Sequence, residues 1–418
     1  MSFTSGFQPI VSAFRNPNYG IYTVGSGVSL IGTWMQRIAV GWLAWQLTES
    51  GTWLGLLAFA NLFPTVVIAP FAGVVADRWH RLTVIKISQS LALVQALMLF
   101  ALTVSDLITP ATLLGLTLWL GMVAAFNQPA RLALIPSLVR DEDVAAAVAI
   151  NSVIFNCARF IGPAAAGLLI VAGGVSAAFA VNTLSFAVFL YALSHIRLAP
   201  ETRSDAATQG VFGDIRDGLR YVAGHPAIGT LLALLTATSL CARPVVELLP
   251  GVAAEVFGGG AGTLALLTAT VGIGAVAAGL WLARRPGNGG LTAIVLTAAL
   301  AIALALLAFV ATDRLWIAVP ALAAAGFFMV ANGVASQTLL QLNVDPAMRG
   351  RTLSLYGLIF RGGPGLGALA IGALSEWVGW NAALAAGGVL TAAAALWAWG
   401  RYGRLRLAFE PDRYTKAR

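Results

Sequence analysis

Lysine is nearly missing from this chain: Lys86 and Lys416 are the only two in 418 residues. A phosphate-cradling nucleotide site of the G-x-x-x-x-G-K-[ST] type needs a lysine at a fixed place after a glycine-rich loop, and no such string occurs. Any transport by this chain is therefore secondary or downhill. Cysteine is equally scarce, and Cys157 and Cys241 both fall inside apolar runs, which leaves no disulfide framework. The three histidines, His80, His195 and His225, form no H-E-x-x-H string, and no G-x-S-x-G is present. An enzyme is not expected, and neither is a cofactor or a metal. Charge is short as well, at 10% of residues against roughly 25% in soluble domains. That shortage excludes a soluble globule.

What the chain has instead is apolar length. Hydrophobic residues make up 59%, with a mean hydropathy of +0.84. A bilayer core takes about 20 apolar residues per helix. Runs of that kind fall near 20–47, 52–75, 83–104, 111–127, 144–171 and 175–194, then near 227–252, 262–283, 291–311, 315–340, 352–374 and 380–399. The first carries Arg37 and has no basic segment before it, so it reads as a retained span and not a cleaved leader. Twelve spans predict an all-α integral membrane protein. The expected division is 1–195 as a six-helix bundle, 196–226 as a cytoplasmic linker, 227–400 as a second six-helix bundle and 401–418 as a basic tail. Within the linker, Val211, Phe212, Ile215, Leu219 and Val222 share one helical face, the pattern of an interfacial amphipathic helix or of a solvated linker helix.

A net charge of +8 and a pI near 10.1 would suit a nucleic-acid binder, but the positions of the charges point elsewhere. With the N-terminus placed inside, cytoplasmic segments hold 20 of the 25 Lys and Arg residues and outer loops hold only Arg314. The other four, Arg37, Arg159, Arg243 and Arg361, fall within spans. This is a positive-inside pattern, and it predicts both termini in the cytoplasm and no nucleic-acid partner. Trp45, Trp53, Trp316, Trp377 and Trp380 near outer ends, with Trp79, Trp397 and Trp399 near inner ends, read as interface anchors.

The halves repeat. At a shift of 206 residues Arg37 maps to Arg243, Glu49 to Glu255, Gly73 to Gly279 and Arg78 to Arg284. With a slip of about four, Arg159 pairs with Arg361 and Gly162-Pro163 with Gly363-Pro364. Two such pseudo-symmetric six-helix halves are the plan of one transporter superfamily, with its substrate site near the midplane.

Motifs agree with that plan. Gly73-Val-Val-Ala-Asp77-Arg78-Trp-His-Arg81 resembles the G-x-x-x-D-R-x-x-R signature between helices 2 and 3 of the major facilitator superfamily, which implies a gating role for Gly73, Asp77, Arg78 and Arg81; topology-setting charge is the plainer alternative. Ala158-x-x-x-Gly162-Pro163-Ala-Ala-Ala-Gly167 is similar to the helix-5 signature of the superfamily's antiporters, and adds Gly162 and Pro163 to the gating set; a Gly/Ala packing face explains the same residues. Over nearly the whole chain, Arg15-Asn-Pro-Asn-Tyr19, Gly32-Thr-Trp-Met-Gln-Arg37-Ile-Ala, Trp42, Leu47-Thr-Glu-Ser50, Asn127-Gln-Pro129-Ala-Arg131, Asn151-Ser and Asn156-Cys-Ala-Arg159-Phe-Ile-Gly-Pro163 resemble the enterobactin-exporter and macrolide-efflux branch. That branch commonly has Asp where Asn127 stands. The resemblance implies export of bulky, amphipathic small molecules such as drugs or siderophores, driven by proton antiport through alternating access. A lysolipid or anionic-metabolite carrier, or flippase, is one alternative, and a non-transporting membrane sensor or scaffold is another. Expected partners are the small-molecule substrate, protons and membrane lipids, and a monomer is expected.

A charge in a span costs about 2.5–3.5 kcal/mol on insertion scales, so it faces a cavity or a partner. Arg37, Arg159, Arg243 and Arg361, with Gln36 and Asn156, form the candidate substrate-binding set, because a guanidinium fork suits carboxylate, phosphate or carbonyl acceptors. Bonding to backbone carbonyls or to interhelical partners is the structural alternative. Glu247 is the only acid well inside a span, four residues after Arg243. It is the candidate for proton coupling, with a static Arg243–Glu247 pair as the alternative reading. Trp34 and Trp119 suit either ligand stacking or core packing.

Overall fold

The computed structural model describes residues 12–197, 211–285, 287 and 289–410; the side chains of 69–71, 73–78 and 211–215 also lie outside the described set. The expectations for the linker stretch 198–210, for the tail beyond 410 and for the side chains of Asp77, Arg78, Val211, Phe212 and Ile215 therefore fall outside it, as does the packing at Gly73. Among the described residues the chain is helical throughout and contains no strand.

The helices are α1 (Pro17–Thr48), α2 (Gly51–Arg78), α3 (Arg81–Val104), α4 (Pro110–Leu134) and a helical run Val144–His195. That run would be some 80 Å long if straight, far beyond a 30 Å bilayer core. It is broken at Gly173 and Gly174, the latter at φ 76°, a left-handed backbone that glycine adopts without penalty. Two spans result, α5 (144–172) and α6 (175–195). After them come α7 (Val211–Gly224), α8 (Pro226–Ala237) and α9 (Val245–Glu255), α10 (Ala261–Ala283), α11 (Leu291–Val310), α12 (Leu315–Asn343), α13 (Pro346–Val378), α14 (Trp380–Trp399) and α15 (Tyr402–Phe409). Ten described segments are long and apolar enough to cross a membrane, and the segment Asp141–His195 among them supplies both α5 and α6. With the more polar α1, twelve spans are present, as expected for the major facilitator fold.

Contacts divide the chain into two units, Met1–Thr48 with Phe63–Ala207 and Glu49–Leu62 with Thr208–Arg418. The start of α2 therefore packs with the second unit. The reason is small residues. A Cβ on Gly51 would stand 2.6 Å from the carbonyl oxygen of Gly372, and one on Gly55 would stand 2.4 Å from that of Ala368. The backbones of α2 and α13 thus touch directly, the close approach that small-xxx-small faces permit in a membrane.

The first unit is held by a buried polar seam. Gln36 Nε2 donates to Gln95 Oε1 (3.0 Å), Asn182 Nδ2 donates to Gln36 Oε1 (2.6 Å), and Gln95 Nε2 donates to the Leu116 carbonyl (3.1 Å). Ser185 Oγ closes the seam on Asn182 Oδ1, and Gln89 Nε2 reaches Ser29 Oγ. These amides bind α1, α3, α4 and α6 at about 0.6–2 kcal/mol per interhelical bond. Gly32 makes room for them, since a Cβ there would sit 2.2 Å from Asn182 Oδ1.

In the second unit the span that corresponds to α1 is not continuous. α8 runs into a π turn at Thr238–Ala242, Arg243 and Pro244 follow outside any helix, and α9 begins at Val245. The Arg243 N–H reaches back five residues to the Thr238 carbonyl. Pro244 has no N–H to continue the ladder, whereas the corresponding position in α1 is Ile38. Carbonyl oxygens left by the break project against glycine. A Cβ on Gly367 would lie 2.0 Å from Leu240 O, and one on Gly387 would lie 2.2 Å from Cys241 O.

α7 is anchored through its second half, where two residues of the expected apolar face, Leu219 and Val222, are described. Gly218 is buried against Leu355 and Arg351, Tyr221 donates to Asp345 Oδ2 (2.9 Å), Arg351 pairs with Asp217 (3.5 Å), and Val222 joins the core. Leu219, expected on the apolar face, is 56% exposed.

Candidate functional site

In the first unit, helical spacing places Trp34 and Arg37 one turn apart on α1, and the Arg37 guanidinium lies 5.2 Å from the centre of the Trp34 indole. Arg159, on α5, reaches the same indole at 5.5 Å. Phe155, one turn before Arg159, meets it edge-on at 6.0 Å. Two cations on one ring are held there because the aromatic face is negative; such contacts contribute about 0.5–2 kcal/mol each. Gly162 allows the approach, since a Cβ there would stand 2.5 Å from the Trp34 Cβ and 2.9 Å from the Ile31 carbonyl. Asn156 lies beside this group in sequence and spends its Nδ2 on the Ser152 carbonyl (2.8 Å). Gln36 faces the other way. It is 1% exposed and both ends of its amide are engaged in the interior seam.

In the second unit, Arg243 stands over Phe360 at 4.1 Å and donates to the Met329 carbonyl at 3.0 Å. Phe360 stacks on Tyr356 (5.4 Å), whose hydroxyl donates to the Gly333 carbonyl (2.9 Å). Arg361 follows Phe360 and is exposed. Glu247 occupies the first turn of α9, just past the break that carries Arg243; a carboxylate there is favoured by the positive end of the helix. The arginines keep the repeat symmetry, but the aromatics do not: the first unit uses Trp34 on α1, the second uses Phe360 on α13.

At one end of the second unit, Glu376 Oε1 accepts from the Ser50 hydroxyl and from the Thr52 N–H (3.1 Å), capping the start of α2. Of the gating set, Arg81 donates to the Ala133 carbonyl (3.0 Å) and Ser137 Oγ (3.1 Å), tying the start of α3 to the end of α4. Gly162 and Pro163 are buried in α5. Sequence reasoning left Trp34 between two roles and counted Arg131 as a topology charge, whereas its guanidinium lies against the Phe189 ring at 5.7 Å; its place in the Asn127-Gln-Pro129-Ala-Arg131 string was the available signal. No group of three metal-ligating side chains occurs among the described residues.

Arginines set against aromatic rings within apolar helices place these groups inside a polytopic membrane protein. The fold agrees with solved transporters: a bacterial homologue of the human lysosomal transporter Spinster, in an inward-facing and occupied conformation (TM-score 0.71, 16% identity, 95% of this chain and 98% of that one), and the nucleoside transporter NupG D323A mutant (0.71, 12%, 92% and 99%). Residues 5–406 match the model of the transmembrane secretion effector family, and the chain belongs to that family of major facilitator transporters. Among curated relatives, the enterobactin exporter EntS of Salmonella typhi is 28% identical over 342 residues (79% of this chain, 77% of that protein), and macrolide efflux protein A of Streptococcus pyogenes is 22% identical over 382 (88% and 92%). The staphyloferrin A transporter of Staphylococcus aureus is 28% identical over 141 residues, 34% of this chain. Of the relatives matched over shorter stretches, the chain spans about half the length of the MFS-type transporter YfiS of Bacillus subtilis and about a third of the staphyloferrin A transporter.

Proposed function

We propose that this protein is a secondary exporter of amphipathic small molecules, of the drug or siderophore kind, in a bacterial inner membrane with both termini in the cytoplasm. It works by proton antiport and alternating access. The observation that carries the reading is the convergence of Arg37 and Arg159, from different helices, on the single indole of Trp34. That arrangement offers an aromatic face beside two guanidinium edges, which suits a substrate with a flat apolar body and oxygen acceptors. Within the second unit, Arg243 and Arg361 contact substrate, and Glu247 carries the coupling proton. Gly73, Asp77, Arg78, Arg81, Gly162 and Pro163 serve the gate. The relatives named for enterobactin and macrolides support this substrate range.

A lysolipid or anionic-metabolite carrier is the second reading, and a cleft of about 420 Å³ between α3 and α4 favours it. Its walls are Trp79, Ile87, Leu91, Trp119, Met122 and Phe126 among others, with Ser88 the one polar side chain. Trp119 thus lines an apolar cleft.

Everted vesicles energised to an acid interior separate the readings. Siderophore, drug and lysolipid candidates are added one at a time while proton release is followed, with Glu247→Gln alongside. Antiport predicts substrate-dependent proton efflux that disappears in Glu247→Gln at unchanged expression, while substrate exchange persists. Uptake of a compound without any proton signal would refute antiport and favour the carrier. Normal export by both Arg159→Ala and Arg361→Ala would refute their binding role.

A further inference from the structure

One face of α14 is apolar, uncovered and closed at its end by a cation. Ala386, Val389, Leu390, Ala393, Leu396 and Trp397 are all exposed, and their spacing puts them on one side of the helix. The opposite side packs inward through Gly387, Thr391, Ala395 and Ala398. From Ala386 to Trp397 the stripe is about 16 Å long at 1.5 Å per residue, roughly half of a 30 Å hydrocarbon core and so the depth of one leaflet. One turn beyond Trp397, the Arg401 guanidinium lies over that indole at 3.9 Å and donates one N–H to the Trp397 carbonyl (3.0 Å). Stacking occupies the face of a guanidinium and leaves its edge donors open. Arg404 follows one hydrogen-bonded turn later, with the Leu405 N–H donating to the Arg401 carbonyl at 3.0 Å. It is exposed and makes no hydrogen bond or ion pair among the described residues. Charge here has one sign: between Glu376 and Glu410 the chain carries three arginines and no acid, and Glu410 is engaged with the Thr292 N–H at the start of α11 (3.3 Å). Leu405 and Phe409 bury the other side of α15 in the core of the second unit, which fixes the elbow between α14 and α15. Trp399 stacks on Tyr402 at 5.9 Å beside it, and exposed Trp and Tyr rings of this kind sit at headgroup depth.

We infer that the α14–α15 elbow seats one anionic glycerophospholipid. Its phosphodiester is held by the edges of the Arg401 and Arg404 guanidiniums, and an acyl chain lies along the α14 stripe from Trp397 toward Ala386. The inference goes beyond the transport reading and holds for any cargo, because it concerns a resident lipid and not a passenger. The occupant follows from the continuity of the two features. A soluble phosphate would use the cations and leave the stripe bare. A choline lipid would bring a cation of its own to a position that already has two. A second copy of this chain, packed on the same face about a two-fold axis along the membrane normal, would set these arginines against their own images. An anionic lipid satisfies both parts at once, since its negative headgroup stands one leaflet depth above the end of its chains. The Trp397 indole serves both halves of the ligand, with one face under the guanidinium and its apolar body at the top of the stripe.

Native mass spectrometry of the full chain, released from a neutral detergent, tests the seat by counting bound lipids across a titration. The probes are dioleoyl phosphatidylglycerol, dioleoyl phosphatidylcholine and, as a headgroup without chains, glycerol phosphate. The first phosphatidylglycerol is expected to bind more tightly than phosphatidylcholine and to stay bound in excess glycerol phosphate. Arg404→Gln removes a guanidinium that touches no described residue, and is expected to weaken the first phosphatidylglycerol about fivefold, the share of one arginine at an anionic surface. Arg401→Gln is expected to weaken it at least as much, and where that variant fails to fold Arg404→Gln decides. Arg314→Gln, ahead of α12, is expected to leave it unchanged. Ala393→Phe raises the middle of the stripe without altering charge, and is expected to weaken it severalfold. Phosphatidylglycerol binding equal in wild type and Arg404→Gln, or equal to that of phosphatidylcholine, would overturn the seat. A loss of the same size in Arg314→Gln would do so by reducing the effect to net charge, and displacement by glycerol phosphate would do so by assigning the arginines to a soluble anion. Unchanged binding in Ala393→Phe would detach the chain from the stripe, and a dimer abolished by that substitution would give the face to a second copy; either result overturns the inference. None of these readouts depends on transport, so the exporter reading stands or falls apart from them.

Discussion

Adding one methyl group at Gly367 tests whether the broken span of the second unit is a packed feature of the fold. A Cβ there would lie 2.0 Å from Leu240 O and 2.5 Å from Pro244 Cγ. Carbon against carbonyl oxygen tolerates about 3.3 Å, so the α13 backbone and the π turn must part by roughly 1.3 Å, the difference. Both sides of that contact are backbone and cannot rotate aside. Overpacking of this kind costs about 1–3 kcal/mol. Gly357, on the same helix, has nothing within 4 Å of its added Cβ, and its change to alanine is expected to be neutral or to gain up to about 1 kcal/mol from helix propensity. Apparent Tm in detergent, followed by the monodisperse fraction on size exclusion after heating, compares the two. Gly367→Ala is expected to melt several degrees below wild type and Gly357→Ala at or above it. Equal melting of the two variants would refute the reasoning that glycine at 367 is required by the helix break.

Asn182→Leu removes the donor to Gln36 and the acceptor for Ser185, so a loss of about 1–3 kcal/mol in stability is expected from the stranded amide; unchanged thermal stability would show that the seam is dispensable. Glu376→Ala strips the acceptor from Ser50 and Thr52 at the start of α2, so a lower apparent Tm is expected and an unchanged one would refute the capping role. Burial first, with the nearby Asp345 charge adding to it, holds the Tyr221 hydroxyl above its ordinary 10.0. A raised pKa favours the neutral form, so the contribution of the Tyr221–Asp345 bond is present below pH 10 and is lost only as pH rises through the folded value. Limited proteolysis around α7 should be unchanged across neutral pH and speed up in alkali, and Tyr221→Phe should speed it at neutral pH.

Membrane class, the number of spans and the doubled plan were legible in the sequence because each rests on composition along the chain. Apolar length answers bilayer thickness, and the Arg37–Arg243 and Arg159–Arg361 correspondences survive as one-dimensional spacing. The arginines themselves were also legible, since a charge inside an apolar run stands out. What they face was not. Gln36 and Arg37 are neighbours in sequence, but one lies in an interior amide seam and the other against Trp34, because a turn of about 100° per residue sends adjacent side chains to different surroundings. The split of α2 at Leu62, the break before Arg243 and the Arg131–Phe189 contact depend on which backbones approach closely enough to touch. Glycine in a sequence permits such an approach at many places, and only the packing of a second helix decides where it happens.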